Sequence, residues 1–188
     1  KTSDTYRLSR CLHELIPHEV NLLDKGALSR IVKKINPNII YHFAANQASS
    51  SPLSAEKDIQ INIMGTFNLL RALDGIPYDL FINAGSSSEY GFKDYPMYES
   101  DVLEPNSYHS FAKGAQTNLV QTYGFVESRP VVTLRFFSVY GPYERVGRLM
   151  PSVINAALNN LEIKLSSPDV ARDFIYIDDV TDFCMKFD

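Results

Sequence analysis

The 188-residue sequence predicts an α/β fold in which a parallel sheet carries helices on both faces. Short, continuous apolar runs predict the sheet, because strands buried on both faces have this pattern. These runs alternate along the chain with segments whose apolar residues recur at helical spacing. Apolar residues make up 45% and charged residues 21% of the chain, which is typical of a globular protein.

The strands are predicted from apolar runs and from the turn residues that flank them. They cover residues 20–23, 39–45, 80–84, 131–139 and 174–177. The second run contains His42, which we interpret as a core residue rather than a catalyst. The fourth run is rich in β-branched and aromatic side chains, which favour strands.

The helices are predicted from apolar spacing and from stop signals. They cover residues 27–35, 58–73, 110–125, 149–161 and 179–187. Asn36-Pro37-Asn38 ends the first helix, and Gly75 with Pro77 follows the second. Because strands and helices alternate, we expect crossover connections between parallel strands.

Charge and cysteine usage exclude several classes of partner. The net charge of −4 gives no general attraction to nucleic acid or to an anionic membrane. No apolar run approaches the roughly 20 residues of a membrane span, and residues 1–10 do not have the pattern of a signal peptide. Cys11 and Cys184 show neither metal-type nor redox-type spacing. We therefore predict no metal, two reduced, buried thiols and a cytoplasmic location.

Five segments occur in a diagnostic order. They are Tyr41-His42-Phe43-Ala44-Ala45, Gly85-Ser86-Ser87-Ser88-Glu89-Tyr90-Gly91, residues 106–113, Leu134-Arg135-Phe136-Phe137-Ser138-Val139-Tyr140-Gly141-Pro142, and Arg172-Asp173-Phe174-Ile175-Tyr176-Ile177-Asp178-Asp179-Val180. Together they resemble the extended short-chain dehydrogenase/reductases, specifically the NAD-dependent epimerase/dehydratase family, over nearly the whole chain. The resemblance implies a Rossmann-like sheet, bound NAD or NADP, and a nucleotide-sugar substrate. Residues 135–144 and the helix around Lys113 look most like enzymes of CDP-dideoxyhexose synthesis, such as paratose synthases.

The resemblance also implies how the chain is organised. The sequence contains no G-x-G-x-x-G turn, with which a dinucleotide fold normally opens. We interpret the chain as a fragment or part of a longer protein, and expect these residues alone to bind NAD poorly. Residues 1–145 would form a partial NAD(P)-binding domain, and residues 146–188 part of a small substrate-binding region.

Several residues match cofactor-contacting positions of the family. The turn that ends the strand at 39–45 would contact NAD, because small residues let the cofactor approach the backbone. Asn21 and Leu22 match the positions around adenine, and Asn62 matches a residue that supports the neighbouring strand. The cofactor-binding residues predicted in this way are Asn21, Leu22, Phe43, Ala44, Ala45, Lys113 and Phe137.

The serines after the strand at 80–84 match the family's substrate-oxygen site. Spacing from Tyr90-Gly91 selects Ser86 as the residue that holds the reacting sugar oxygen, with Ser87 second. Ser88 stands where 4,6-dehydratases have a glutamate acid/base, which disfavours dehydration. The structural alternative is a polar loop that caps a helix.

The family's catalytic pair is Tyr-x-x-x-Lys on one helix face. Lys113 matches the lysine, but the tyrosine position holds His109, and Tyr108 precedes it. Three interpretations stay open: His109 is the acid/base, Tyr108 reaches the site from the helix start, or the site binds ligands without hydride chemistry. Lys113 would lower the pKa of a phenol and hold the nicotinamide ribose.

The C-terminal part carries candidate substrate ligands. Ser138 replaces the family's asparagine and keeps a hydrogen-bonding group. Arg172 is the first candidate for the diphosphate clamp and Arg148 the second, because a guanidinium matches phosphate geometry. Arg135 is interpreted as structural. Residues 165–168 stand where Gly-Asp-Gly is common in the family.

These assignments predict an NAD(P)-dependent nucleotide-sugar epimerase or 4-keto reductase that acts by hydride transfer at a sugar carbon. The alternatives are a non-catalytic protein that binds a dinucleotide or sugar nucleotide, and a 4,6-dehydratase. The expected partners are a nucleotide sugar and, in a possible homodimer, a second copy of the chain, with neither nucleic acid nor membrane involved.

Overall fold

A computed structural model of the chain describes residues 5–46, 52–164 and 171–187. The chain divides into two compact units. The larger unit is His18–Phe136, and the smaller unit combines Lys1–Pro17 with Phe137–Asp188. The functional boundary between residues 145 and 146 stays a prediction, whereas packing divides the chain at Phe136.

The larger unit contains a parallel sheet. Strands β1 (Ile39–His42), β2 (Leu80–Ser86) and β3 (Val131–Phe136) lie in the order β1-β2-β3. Ile40 pairs with Phe81, which in turn pairs with Val131. The predicted parallel sheet is therefore confirmed, and the carboxyl ends of its strands meet at one edge.

The helices of this unit begin and end at recognisable caps. Helix α1 spans Lys25–Ile35; the Asp24 side chain accepts a hydrogen bond from Ala27 N, and Asn36 ends the helix at a positive φ of 48°. Helix α4 spans Tyr108–Val126 and begins at a capping box between Ser107 and Ser110. Both helices extend two residues further towards the N-terminus than predicted.

A long helical run lies between β1 and β2. It consists of α2 (Pro52–Asp58), a π-helical segment (Ile59–Gly65) and α3 (Thr66–Ala72). The predicted helix at 58–73 is therefore the second part of a longer run. A π-helical turn carries extra residues relative to an α-helix and occurs frequently at functional sites.

Three predicted strands differ from the structure, and the first difference is that the strand predicted at 39–45 ends at His42. Residues 20–23 form a turn instead of a strand: Leu23 N donates to Asn21 Oδ1 and Asp24 N donates to Asn21 O. This Asx turn uses the backbone hydrogen bonds that a strand would need. The run at 131–139 divides at Phe137, because residues 131–136 pair with β2 whereas Ser138 N donates to Asp173 O.

The core of the larger unit lies between the sheet and the helices. Its most deeply buried apolar side chains come from α1, α3, β2 and α4. They are Leu28, Val32, Leu70, Leu73, Phe81 and Val120. Polar side chains are buried beside them, and these are the ones that build the candidate site.

The smaller unit contains a two-stranded parallel sheet. Its strands are β4 (Ser138–Tyr140) and β5 (Phe174–Tyr176), and its helices are α5 (Leu149–Leu158) and α6 (Ile177–Met185). Short 3-10 turns occur at Thr5–Leu8 and Leu12–Glu14.

Both cysteines belong to this smaller unit. Cys184 is buried, whereas Cys11 is half-buried rather than buried as predicted, and both remain thiols. In the part of the chain that the structure describes, no helix is long and apolar enough to cross a membrane.

Candidate functional site

The end of β2 forms a capped turn that contains the three serines. Ser86 caps the 3-10 helix Ser87–Tyr90: its hydroxyl accepts from Ser88 N at 3.2 Å and lies 2.8 Å from Ser88 Oγ. Glu89 Oε1 accepts from Ser86 N at 2.7 Å. The capping role considered from the sequence is therefore present, and all three serines are half-buried.

Glu89 is fully buried behind this turn. Its Oε2 accepts from Arg135 Nε at 3.1 Å, while Arg135 Nη1 donates to Tyr90 Oη at 3.0 Å. Burial raises the pKa of Glu89, and the hydrogen bond from Ser86 N and the charge of Arg135 oppose that rise. Both carboxylate oxygens accept hydrogen bonds from within the protein, so Glu89 stabilises the turn. Arg135 has a structural role, as predicted.

Lys113 joins α4 to the end of β2. Its ammonium donates to the main-chain oxygen of Ala84 and, at 2.6 Å, to Gln116 Oε1. Burial lowers the pKa of Lys113 to about 8, and the Glu89 carboxylate opposes that shift. An ammonium has three donors, so one remains for a ligand beyond these two acceptors.

A buried polar chain continues from Lys113 into the core. Gln116 Nε2 donates to Thr66 Oγ1 at 2.8 Å, and Thr66 Oγ1 donates to Asn62 O at 2.6 Å. The Thr66 hydroxyl proton is thus used, so His42 Nε2, 2.8 Å away, must be the donor. Burial, followed by the charge of Lys113, lowers the pKa of His42 to about 4.

These contacts show that His42 is a hydrogen-bonded core residue, as the sequence predicted. Its imidazole is neutral at neutral pH because its pKa lies far below 7.

His109 lies on α4 one turn before Lys113. Its Nδ1 lies 3.3 Å from Oδ1 of Asp58, and the exposed fractions of the two side chains are 23% and 1%. Asp58 Oδ1 also accepts from Asn46 Nδ2 at 3.0 Å, and Asn46 N donates to Asn62 Oδ1 at 2.8 Å. The Asp58 carboxylate at the end of α2 thus links the imidazole on α4 to Asn46 in the turn after β1.

Tyr108 occupies a different position from His109. It is the first residue of α4 and is 67% exposed. Residues four apart share a helix face, so His109 lies on the same face as Lys113. Tyr108 is rotated by about 100° around the helix from His109.

The predicted cofactor residues of the larger unit lie at its sheet edge and in the turn at 20–23. Phe43, Ala44 and Ala45 follow β1 and are exposed. Asn21 Oδ1 already accepts from Leu23 N but keeps a second lone pair for an adenine amine. Leu22 is half-buried and packs closely against Gly65. A Cβ added at Gly65 would lie 3.1 Å from the Cβ of Leu22.

The remaining predicted residues belong to the smaller unit. Ser138 begins β4, and Arg172 lies two residues before β5, so they start neighbouring parallel strands. Arg148 precedes α5, Phe137 precedes β4, and both arginines are exposed. Residues 165–168, which stand where Gly-Asp-Gly is common, lie outside the described residues.

Sequence reasoning missed three residues of this site. Asp58 was interpreted as the start of a helix, and neither Asn46 nor Gln116 was singled out. A signal for Gln116 was present, since it is a polar residue three positions after Lys113 on the predicted helix. Asp58 carried no comparable signal because 51 residues separate it from His109.

The parallel sheets and the helices between their strands place the protein in the α/β class. Comparison with known proteins identifies its family. The model of the NAD dependent epimerase/dehydratase family matches residues 2–187. The chain therefore belongs to the NAD-dependent epimerase/dehydratase family.

Known relatives include enzymes of two types. The chain is 29% identical to a probable UDP-glucuronate 4-epimerase of Rhizobium meliloti over 169 residues, covering 88% of this chain and 50% of that protein. It is 28% identical to a dTDP-D-glucose 4,6-dehydratase of Dictyostelium discoideum over 174 residues, covering 85% and 40%. The chain thus spans about half the length or less of these relatives.

A solved structure gives the same result. The UDP-glucuronic acid 4-epimerase of Bacillus cereus, in complex with UDP-glucuronic acid and NAD, aligns with a TM-score of 0.80 and 29% identity. The alignment covers 94% of this chain and 57% of that one. The Rossmann-like fold expected from the motifs is confirmed.

Proposed function

We propose that the protein is an NAD(P)-dependent nucleotide-sugar epimerase or 4-keto reductase that acts by hydride transfer at a sugar carbon. The observation that carries this proposal is the placement of His109 and Lys113 on one face of α4, with Lys113 bonded to Ala84 just before Ser86. This arrangement offers a proton acceptor, a cation and a hydroxyl in the order that the family's chemistry needs.

The residues at the sheet edge fit a dinucleotide. Ala44 and Ala45 are small and exposed, so a ligand can approach their backbone, and Phe43 offers a 54% exposed ring. When bound, the nicotinamide would accept the hydride from the sugar carbon and later return it. Lys113 would hold the nicotinamide ribose with its third donor, and Asn21 and Leu22 would contact adenine. The cofactor can be NAD or NADP.

The proton of the sugar hydroxyl would move to His109 Nε2 as the carbon–oxygen bond becomes a carbonyl. Ser86, with Ser87 second, would donate a hydrogen bond to that oxygen. The neutral imidazole is the form that accepts a proton, and the ammonium of Lys113 lies one turn away on the same helix face. Tyr108 remains the alternative acid/base, although its 67% exposure and its rotation from the face of Lys113 favour His109.

The dehydratase alternative is less well supported. Elimination of water needs an acid or base beside the carbon next to the carbonyl. Ser88 stands at the expected position, and the neighbouring Glu89 is fully buried and bonded to Ser86 N and Arg135. The substitution of His109 for the family's tyrosine supports a second candidate, a protein that binds a sugar nucleotide without turnover.

The proposed substrate is a nucleotide sugar, because the named relatives act on UDP-glucuronate and dTDP-glucose. Arg172 would bind its diphosphate, with Arg148 as second candidate and Ser138 as a further contact. The similarity to paratose synthases stays a prediction. Two thiols without disulfide spacing support a cytoplasmic enzyme, and sedimentation of the intact protein would test for a homodimer.

The test uses the intact protein, meaning the complete natural chain that carries this sequence. For epimerase activity it is incubated with NAD or NADP and with UDP-glucuronic acid, UDP-glucose, dTDP-glucose and CDP-sugars. For reductase activity it is incubated with NADH or NADPH and a nucleotide 4-keto-sugar. Absorbance reports reduced nicotinamide, and chromatography identifies the products. We expect turnover with a new epimer or a reduced sugar. Binding of a nucleotide sugar without any product would support the non-catalytic candidate instead.

Three variants separate the acid/base candidates. We expect His109→Phe to abolish turnover, Tyr108→Phe to retain it, and His109→Tyr to retain or restore it by placing a phenol one turn before Lys113. The opposite result for the two phenylalanine variants would assign the role to Tyr108.

A further inference from the structure

We infer that Asp58 is a positioning residue for His109: its buried carboxylate holds the imidazole as the Nδ1–H tautomer and directs Nε2 towards substrate. The inference rests on the proposed function of His109, but the tautomer itself can be measured without any substrate. The structural basis is the 3.3 Å contact between Nδ1 and Asp58 Oδ1.

The tautomer follows from donor and acceptor chemistry. An ionised carboxylate only accepts hydrogen bonds, so His109 must donate from Nδ1 and leave the lone pair of the neutral ring on Nε2. Asp58 is 1% exposed, so water does not screen its oxygen effectively from the imidazole. The same carboxylate would stabilise the positive charge of an imidazolium formed during the reaction.

Asn46 fixes the carboxylate in turn. Its side-chain amide donates to the same Oδ1 at 3.0 Å, and its backbone N–H donates to Asn62 Oδ1. Asn46 directly follows the proposed cofactor turn, so one short chain of hydrogen bonds joins this turn to the proposed base. Of the charged groups in the described part of the chain, Asp58 on α2 contacts the imidazole, and Lys113 lies one turn further along its own helix.

The first test needs no substitution in the Asp58 pair. Nitrogen NMR of histidine-labelled intact protein, with His109 assigned by its loss in His109→Gln, reports which ring nitrogen carries the proton. Above the pKa of the imidazole we expect Nδ1 to be protonated and Nε2 unprotonated. A predominant Nε2–H form would overturn the inference.

Two variants then change the groups around the imidazole in different ways. We expect Asp58→Asn to make the Nε2–H form detectable by nitrogen NMR, because an amide can donate to Nδ1 and no longer requires that nitrogen to carry the proton. We expect Asn46→Ala to keep Nδ1 protonated, because the Asp58 carboxylate remains as its acceptor. A matched control, Asp74→Asn, removes a carboxylate paired with Arg71 at 3.0 Å and leaves the His109 tautomer unchanged.

Kinetics distinguish positioning from a structural role. In Asp58→Asn we expect kcat to fall at least about tenfold and KM for the sugar to stay nearly constant, while the Nε2–H form appears in the NMR spectrum. An unchanged kcat and an unchanged tautomer in a folded Asp58→Asn would overturn the inference while the proposed function stands. The Nδ1–H tautomer in a protein without turnover would support the pairing and contradict the proposed function.

Discussion

Arg135 and Glu89 form a buried ion pair that closes the turn after β2. Arg135 Nε lies 3.1 Å from Glu89 Oε2, and the exposed fractions of the side chains are 14% and 0%. The other carboxylate oxygen accepts from Ser86 N. The conformation of the proposed substrate-oxygen site therefore depends on a carboxylate that never needs to touch substrate.

Arg135→Ala should destabilise the intact protein by about 3–5 kcal/mol, because it leaves the Glu89 carboxylate buried without its cation. The measurement is denaturant unfolding. The control is Arg71→Ala, which breaks a surface pair with Asp74 and should cost about 1 kcal/mol or less. Equal costs for the two variants would show that Glu89 does not depend on its partner.

Gly91→Ala should be more destabilising than Gly75→Ala, although both glycines have a φ of 74°. Positive φ costs an alanine about 1–2 kcal/mol at either site. At Gly91 the ψ of −148° adds a region that is essentially restricted to glycine, and the new Cβ would overlap the carbonyl oxygen of Glu104. Nothing lies within 4 Å of a Cβ at Gly75.

We therefore expect the Gly91 variant to unfold with at least about 1 kcal/mol less free energy than the Gly75 variant in parallel denaturant titrations. If the two glycines tolerate alanine equally, the loop at Glu104 must be able to move away from the turn.

His42 should make the free energy of unfolding depend on pH below about 6.5. Burial lowers its pKa from 6.5 to about 4, so the folded state resists a proton that the unfolded state accepts. A pKa shift of this size contributes about 3 kcal/mol to the free energy of unfolding. This contribution is present above pH 6.5 and is lost as the pH falls towards 4.

The free energy of unfolding measured from pH 4 to 7 should therefore have a smaller slope in His42→Gln than in the parent protein. His18→Gln, at an exposed histidine outside the core, is the matched control. An unchanged slope in His42→Gln would mean that His42 titrates normally.

Arg172→Ala should weaken nucleotide-sugar binding about tenfold to a hundredfold and leave cofactor binding nearly unchanged, as expected for loss of a charge-assisted contact to phosphate. Calorimetry of the intact protein measures both affinities. Arg145→Ala, at another exposed arginine of the smaller unit, is the control. A parallel fall in both affinities would instead assign Arg172 a role in folding.

The sequence was most informative where one local pattern decided the structure. The apolar runs around Ile40 and Ile82 predicted strands without knowledge of their neighbours, although only the second run is largely buried, since Tyr41 in the first is 37% exposed. The apolar spacing after residue 110 likewise predicted α4, which begins two residues earlier at the Ser107 cap. The register of the sheet and its parallel order then placed Ser86 at the expected edge.

Contacts between distant residues could not be predicted in the same way. Residues 20–23 have the composition of a strand, but the side chain of Asn21 accepts a hydrogen bond from Leu23 N. That backbone donor is therefore not used for strand pairing. Asp58 and His109 are 51 residues apart, and neither has a local pattern that specifies the other. The sequence therefore leaves the acid/base alternatives open, and the contact of His109 with a buried carboxylate supports the proposal that favours His109.

The π-helical segment Ile59–Gly65 separates two sets of contacts along one helical run. Before it, Asp58 faces His109; after it, Thr66 bonds to His42 and Gln116. An α-helix turns by about 100° per residue, so the number of residues in this segment sets the angle between the two sets. A one-residue deletion there would rotate one set out of phase with α4. The segment thus acts as a rotational spacer, in which the number of residues is constrained as well as the identity of Asn62, which binds Asn46.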